Sequence, residues 1–172
     1  MASLILTVIG DDRPGLVSAL SAPVNAHGAS WKRSQMSRLA GKFAGIVLVS
    51  VADDRLDGLA ADLAALDAQG LQVTLERTDE PPAARDLVRL HLELLGADRP
   101  GIVAEVSAAL AGQSVSIEKL ATDVQDAPMA GGTLFQARAV LTASPETSTE
   151  ELASILEALG DELMVEIRLS EE

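Results

Sequence analysis

The sequence predicts an α+β chain made of two βαββαβ units in tandem, each a four-stranded antiparallel sheet with its helices on one face. Three observations predict it. The phrase Gly10-Asp11-Asp12-Arg13-Pro14-Gly15-Leu16-Val17 returns 86 positions later as Gly96-Ala97-Asp98-Arg99-Pro100-Gly101-Ile102-Val103. Each copy follows a strand-like apolar run and precedes apolar residues at helical spacing, so a repeated module carries one turn in a fixed place. After each first helix come two strand-like runs, which place a hairpin between the two helices of the unit.

Residues 4–9 are apolar apart from Thr7, and Gly10 with two aspartates breaks the run, as expected of a buried strand entering a turn. Pro14 suits the first position of a helix whose stripe is Val17, Leu20 and Val24 and which ends near Gly28. Pro23 lies inside that stripe, where a missing N–H costs ~3 kcal/mol, and it predicts a kink or an early end. Residues 30–39 and 43–52 form a hairpin around Ala40-Gly41. Leu59, Leu63 and Leu66 mark a second helix stopped by Gly70, and Leu71, Val73 and Leu75 alternate as the last strand. The first unit is expected over residues 1–78, a Pro-containing linker over 79–86, and the second unit over 87–172.

The second unit repeats the order. Val88, Leu90, Leu92 and Leu94 alternate, and Val103, Val106 and Leu110 make a helical stripe. Residues 115–124 and 133–142 make the hairpin. Leu152, Ile155, Leu156 and Leu159 follow a capping box of Ser148 and Glu151, and Leu163, Val165, Ile167 and Leu169 form the closing strand. Gly15 to Phe43 spans 28 positions and Gly101 to Phe135 spans 34, which places an insertion within Gln125–Gly132 and makes the two copies inequivalent. This order gives the ferredoxin-like plan. Runs 4–9 and 45–51 are apolar on both sides, so the open sheet face of the first unit or a sheet edge is expected to be covered by the other repeat or by a second subunit, and a homodimer is expected.

Composition excludes several classes. Thirteen Lys+Arg against 26 Asp+Glu give a net charge of −13, which repels a phosphate backbone, so no direct nucleic-acid binding is expected. There is no cysteine, which removes disulfides, thiolate metal sites and thiol catalysis and suits a reducing compartment. Asp11 and Asp12 interrupt the first apolar run well short of a signal peptide or membrane span, and a cytoplasmic protein is expected, with no membrane partner.

The paired Asp-Arg-Pro-Gly turns in βαββαβ units resemble tandem ACT-domain proteins. Ser34-Gln35-Met36-Ser37-Arg38-Leu39-Ala40-Gly41-Lys42-Phe43, Ile117-Glu118-Lys119-Leu120 and Ala127-Pro128-Met129-Ala130-Gly131-Gly132-Thr133-Leu134-Phe135 narrow the resemblance to the glycine cleavage system transcriptional repressor family. It implies a non-enzymatic regulator that binds an amino acid such as glycine where ACT units meet, then alters a protein partner such as a transcription factor. Two other readings stand beside it: a regulatory subunit of an amino-acid biosynthetic enzyme, and an interaction scaffold without ligand.

A strand-to-helix turn leaves N–H groups unpaired at the positive end of a helix, a seat for a carboxylate. The candidate ligand-binding residues are Asp11, Asp12, Arg13, Pro14, Gly15, Leu16 and His27 in the first unit, and Asp98, Arg99, Pro100, Gly101 and Ile102 in the second. Gly15 and Gly101 admit close approach of a ligand, and Asp11, Asp12 or Asp98 is placed to take an ammonium group. The bland alternative is that Asp12 and Asp98 cap helices while the prolines shape the first turn. Arg13 and Arg99 pair with a carboxylate or, slightly preferred, with the neighbouring domain. His27, at a helix end, either bonds a terminal carbonyl or lines the site. His91 shares a strand's polar side with Arg89 and Glu93. Trp31 is assigned to a domain or subunit boundary, and Met36 and Phe43 to core or interface. No nucleophile elbow, phosphate loop or catalytic cluster appears, so no catalytic residue, metal or cofactor is expected.

Overall fold

The computed structural model describes residues 1–79, 86–129 and 131–172, so most of the expected linker lies outside the described residues. The chain divides into two compact units, Met1–Pro81 and Pro82–Glu172. The first runs β1 (Ala2–Asp11), α1 (Leu16–Ala26), β2 (Ser30–Leu39), β3 (Lys42–Val51), α2 (Leu56–Ala64) and β4 (Leu71–Thr78), with α2 continued by a 3₁₀ turn, Ala65–Gln69. The second runs β5 (Val88–Ala97), α3 (Ile102–Gly112), β6 (Ser116–Asp126), β7 (Thr133–Ala143), α4 (Thr149–Leu163) and β8 (Val165–Glu171). The sheet orders are β2-β3-β1-β4 and β6-β7-β5-β8, antiparallel throughout.

Period-two burial builds each core. Leu4, Leu6 and Val8 of β1 and Val47, Val49 and Val51 of β3 point to one face, against Leu16, Leu20 and Val24 of α1 and Leu59 and Leu63 of α2. In the second unit Leu90, Leu92 and Leu94 meet Ile102, Val106 and Leu110 of α3 and Leu152, Leu156 and Leu163 of α4. Burying each such side chain contributes about 1.5–3 kcal/mol. The opposite faces differ. That of the first sheet presents Ile5, Ile46 and Leu48 around a groove of ≈ 300 Å³, whereas that of the second presents Arg89, paired with Glu118 and Glu172.

Several expectations need correction. α1 begins at Leu16, so Pro14 precedes the helix instead of opening it. The helix also runs through Pro23 to Ala26, because the proline falls in its last turn and buried Leu20 and Val24 hold both sides. Leu163 ends α4, and β8 starts only after Met164, whose φ of 54° is left-handed. Trp31 packs half-buried on the core of its own unit, and its Nε1 donates to Ser34 Oγ at 3.2 Å; Met36 and Phe43 lie against the same core, as expected.

Other expectations hold. Gly70 stops the second helical segment at φ 81°, and Ser148 Oγ accepts from the Glu151 N–H at 3.2 Å as the cap of α4. The first hairpin turns on Ala40 and Gly41, both with positive φ, as a type I′ turn requires. In the second unit part of the insertion lengthens the strands, Gln125 and Asp126 belonging to β6; beyond them Ala127 N–H donates to the Gly132 carbonyl at 3.0 Å, and Met129 is fully exposed.

Candidate functional site

The repeated phrase builds the same turn twice. Gly15 has φ 89°, ψ 5° and Gly101 φ 93°, ψ −5°, the angles of the third residue of a type II turn, whose second position favours proline. Pro14-Gly15 and Pro100-Gly101 thus reverse the chain and leave glycine as the N-cap. No side chain caps α1 or α3, so Asp12 and Asp98 are not caps. The first helical bonds are Ala19 N–H to the Gly15 carbonyl and Glu105 N–H to the Gly101 carbonyl, both 2.9 Å. The N–H groups ahead of them have no partner within the helix and face outward with the positive end of its dipole.

Three ties hold the first turn. Asp12 N–H donates to the Gly41 carbonyl at 2.9 Å, Arg13 Nη2 to the Gln69 carbonyl at 2.9 Å, and Arg38 Nη1 to Asp12 Oδ2 at 3.4 Å. Lys42 donates to Asp11, and that hydrogen bond and charge hold the Asp11 carboxyl below the usual carboxylate range. Arg13 therefore anchors the turn within its own unit, and both acids already have cationic partners. A cleft of ≈ 320 Å³ lies at the end of β1, lined by Ile9, Gly10, Asp11, Lys42, Asp67, Gly70 and Gln72 and by none of residues 12–16. A Cβ on Gly15 would meet nothing within 4 Å, so space in front of the turn is open.

The second turn keeps the frame and changes the contents. Asp98 N–H donates to the Thr133 carbonyl at 2.9 Å, matching Asp12. Glu105 lies in the first turn of α3, where α1 has no acid. Its Oε1 is 3.6 Å from Arg99 Nη2 and 3.7 Å from the Cβ position of Gly101. A carboxylate of the protein itself thus occupies the mouth of the second turn. Behind Ile102 a largely apolar slot of ≈ 30 Å³ opens between α3 and β6. Ile117 and Ala139 stand there in the places of Trp31 and Val47 and leave it unfilled.

The turn does not gather every expected residue. His27 is the C-cap of α1, at the far end of a helix about 16 Å long. Its Nε2 is 2.7 Å from Asp62 Oδ2, and its ring covers Gly58, where a Cβ would come within 2.8 Å of Cε1. His91 lies 4.0 Å from Glu172, half-exposed on the open face. Glu105 was missed by reading the copies for what they share; Ala19, its counterpart, carried the signal. Among the described residues no cluster of three or more His, Asp or Glu could hold a metal, and no helix is long and apolar enough to cross a membrane.

Residues 2–76 match the ACT domain family. The first unit is an ACT domain, and the second, with the same strand order and the same turn, makes the chain a tandem ACT-like fold. A crystal structure of an unknown protein from Galdieria sulphuraria superposes with a TM-score of 0.84 at 32% identity, covering 99% of this chain and 98% of that one. A candidate glycine cleavage system transcriptional repressor superposes with a TM-score of 0.74 at 18% identity, covering 99% and 97%, a likeness of fold. Phosphoserine phosphatase SerB2 of Mycobacterium tuberculosis is 32% identical over 135 residues, covering 75% of this chain; the chain spans only 32% of that protein.

Proposed function

We propose that the chain is a non-enzymatic, cytoplasmic amino-acid sensor that binds a small effector at the first Asp-Arg-Pro-Gly turn and passes the signal to a protein partner. The observation that carries this is the uncapped start of α1 behind Gly15, with open space in front of it. The effector's carboxylate would take the helix N–H groups, and its ammonium would displace Arg38 from Asp12, whose contact at 3.4 Å is the loosest of the ties. Glu105 closes the second turn to the same ligand by charge and by volume. Glycine and serine are the first candidates, on the likeness to a glycine cleavage repressor and to an enzyme that acts on phosphoserine. The repressor likeness favours a transcription factor as partner, and the net charge of −13 favours acting on that protein instead of on DNA.

The match to a phosphatase favours a second reading, a regulatory unit acting on an enzyme of amino-acid metabolism. Affinity capture separates the two by recovering a DNA-binding protein or an enzyme. Sensing itself is tested by the thermal midpoint against each of the twenty amino acids. Binding to the native state stabilises by about 2.7 kcal/mol at a hundredfold excess over Kd. One or a few small amino acids should raise the midpoint, and Gly15→Val should abolish the rise while Gly101→Val keeps it. No shift with any amino acid would leave a scaffold.

A further inference from the structure

Charge is unevenly spread along the chain. Residues 53–79 and 144–172, which carry the second helix and the last strand of each unit, hold 16 of the 26 acids and three of the 13 Lys+Arg; the remaining residues hold ten of each and are neutral. In α4 the acids stand where helix electrostatics disfavour them. Glu157 and Asp161 lie four residues apart on one face, Asp161 and Glu162 fall in the last turn at the negative end of the helix dipole, and no basic residue stands there. Acids of the first unit have cationic partners: His27 is 2.7 Å from Asp62, and Arg77 is 3.7 Å from Asp53. Among the described residues neither Glu157 nor Asp161 has a salt-bridge partner.

These two acids form one wall of a groove of ≈ 380 Å³ between α4 and β8, floored by Leu156, Ile167 and Leu169. β8 is an outer strand of its sheet. Glu172 N–H donates to the Arg89 carbonyl, and the alternation of an antiparallel ladder then turns the backbone groups of Glu166, Arg168 and Ser170 towards β5 and those of Ile167, Leu169 and Glu171 towards the free edge. We infer that the groove docks an extended, Lys- or Arg-bearing segment of a partner protein, added antiparallel to β8. A residue that pairs with Ile167 or Leu169 through the backbone projects its side chain on the same face as theirs, over the groove floor. A long basic side chain there lays its stem on Ile167 and Leu169 and carries its charge to Glu157 and Asp161. The partner thus supplies the cation that α4 lacks, which an acidic or neutral segment does not. This surface goes beyond the sensing of an effector, and it stands whether or not an amino acid binds.

Fluorescence anisotropy of a labelled octapeptide of alternating Lys and Val, titrated with the full chain in the absence of amino acids, tests it. The peptide should bind at low salt and weaken as salt rises. Glu157→Lys with Asp161→Lys should weaken binding at least tenfold, whereas Asp54→Lys with Asp57→Lys, the same change of charge in the first unit, should weaken it less than threefold. The backbone pairing is read on the peptide itself: N-methylation of its lysine amides should weaken binding at least tenfold and N-methylation of its valine amides should not, since the lysine N–H groups are the ones that face β8. No binding by the wild type overturns the proposal, as do equal losses in the two charge variants, which would be attraction to net charge alone. Methylation that weakens binding no more at lysine than at valine would mean that the segment docks without this pairing, and overturns it too.

Discussion

Gly10 and Gly96 open the repeated phrase, and Gly15 and Gly101 end its turn, for different reasons. A Cβ on Gly96 would fall 2.4 Å from Val165 Cγ1 and 2.8 Å from Val165 Cα, and one on Gly10 would fall 2.7 Å from the Gly70 carbonyl oxygen. The first glycine lets the last strand of each unit cross closely; the second supplies a positive φ, with open space in front of Gly15 and the Glu105 carboxylate in front of Gly101. Gly96→Ala should therefore cost about 1–3 kcal/mol of overpacking, read as a lower urea midpoint with faster amide exchange along β5 and β8. Asp11 and Lys42 give a pH-dependent prediction. The folded-state carboxyl is held below its ordinary value, so its contribution is present above the unfolded-chain value near about 3.9 and is lost as pH falls through the lowered folded value. Lys42→Met should shift the urea midpoint at pH 6, the difference should shrink as pH falls below the ordinary carboxylate range, and salt should shrink it at pH 6 because both groups are exposed. An equal difference at pH 2.5 and pH 6 would place its origin in packing.

At the scale of elements, α1 shows where sequence patterning succeeds and where it stops. Leu20 and Val24 mark the buried stripe, yet the boundary turns on angles that spacing does not encode: a proline that suits a first helical turn equally suits the second place of a type II turn, and Gly15 decides for the latter. Pro23 shows that tertiary packing outweighs one lost hydrogen bond near a helix end. Pro23→Ala should restore the bond to the Ala19 carbonyl and raise stability by about 1 kcal/mol, and a lower midpoint would show that the fixed φ of proline contributes more. The edge strand β6 was legible as a strand but not as an edge, because strand order depends on pairing partners far apart in sequence.

For the whole molecule, the 86-residue repeat made the fold legible, since each copy confirmed the other's elements. The site was half legible for the same reason: repetition reveals a shared frame and hides differences such as Ala19 against Glu105, which separates an open turn from a filled one, and Trp31 against Ile117, which leaves a slot behind α3. His27 stands at the C-terminal end of α1, as the glycine beside it marks, but its ring meets Asp62, a partner far along the chain that adjacency does not reveal. One effector turn per chain is expected to work. Titration calorimetry of the full chain with glycine and with serine counts the sites, on the wild type and on Gly15→Val and Glu105→Ala. One of the two amino acids should bind once per chain, not at all after Gly15→Val, and twice per chain after Glu105→Ala; heat from neither, or binding that survives Gly15→Val unchanged, would contradict it.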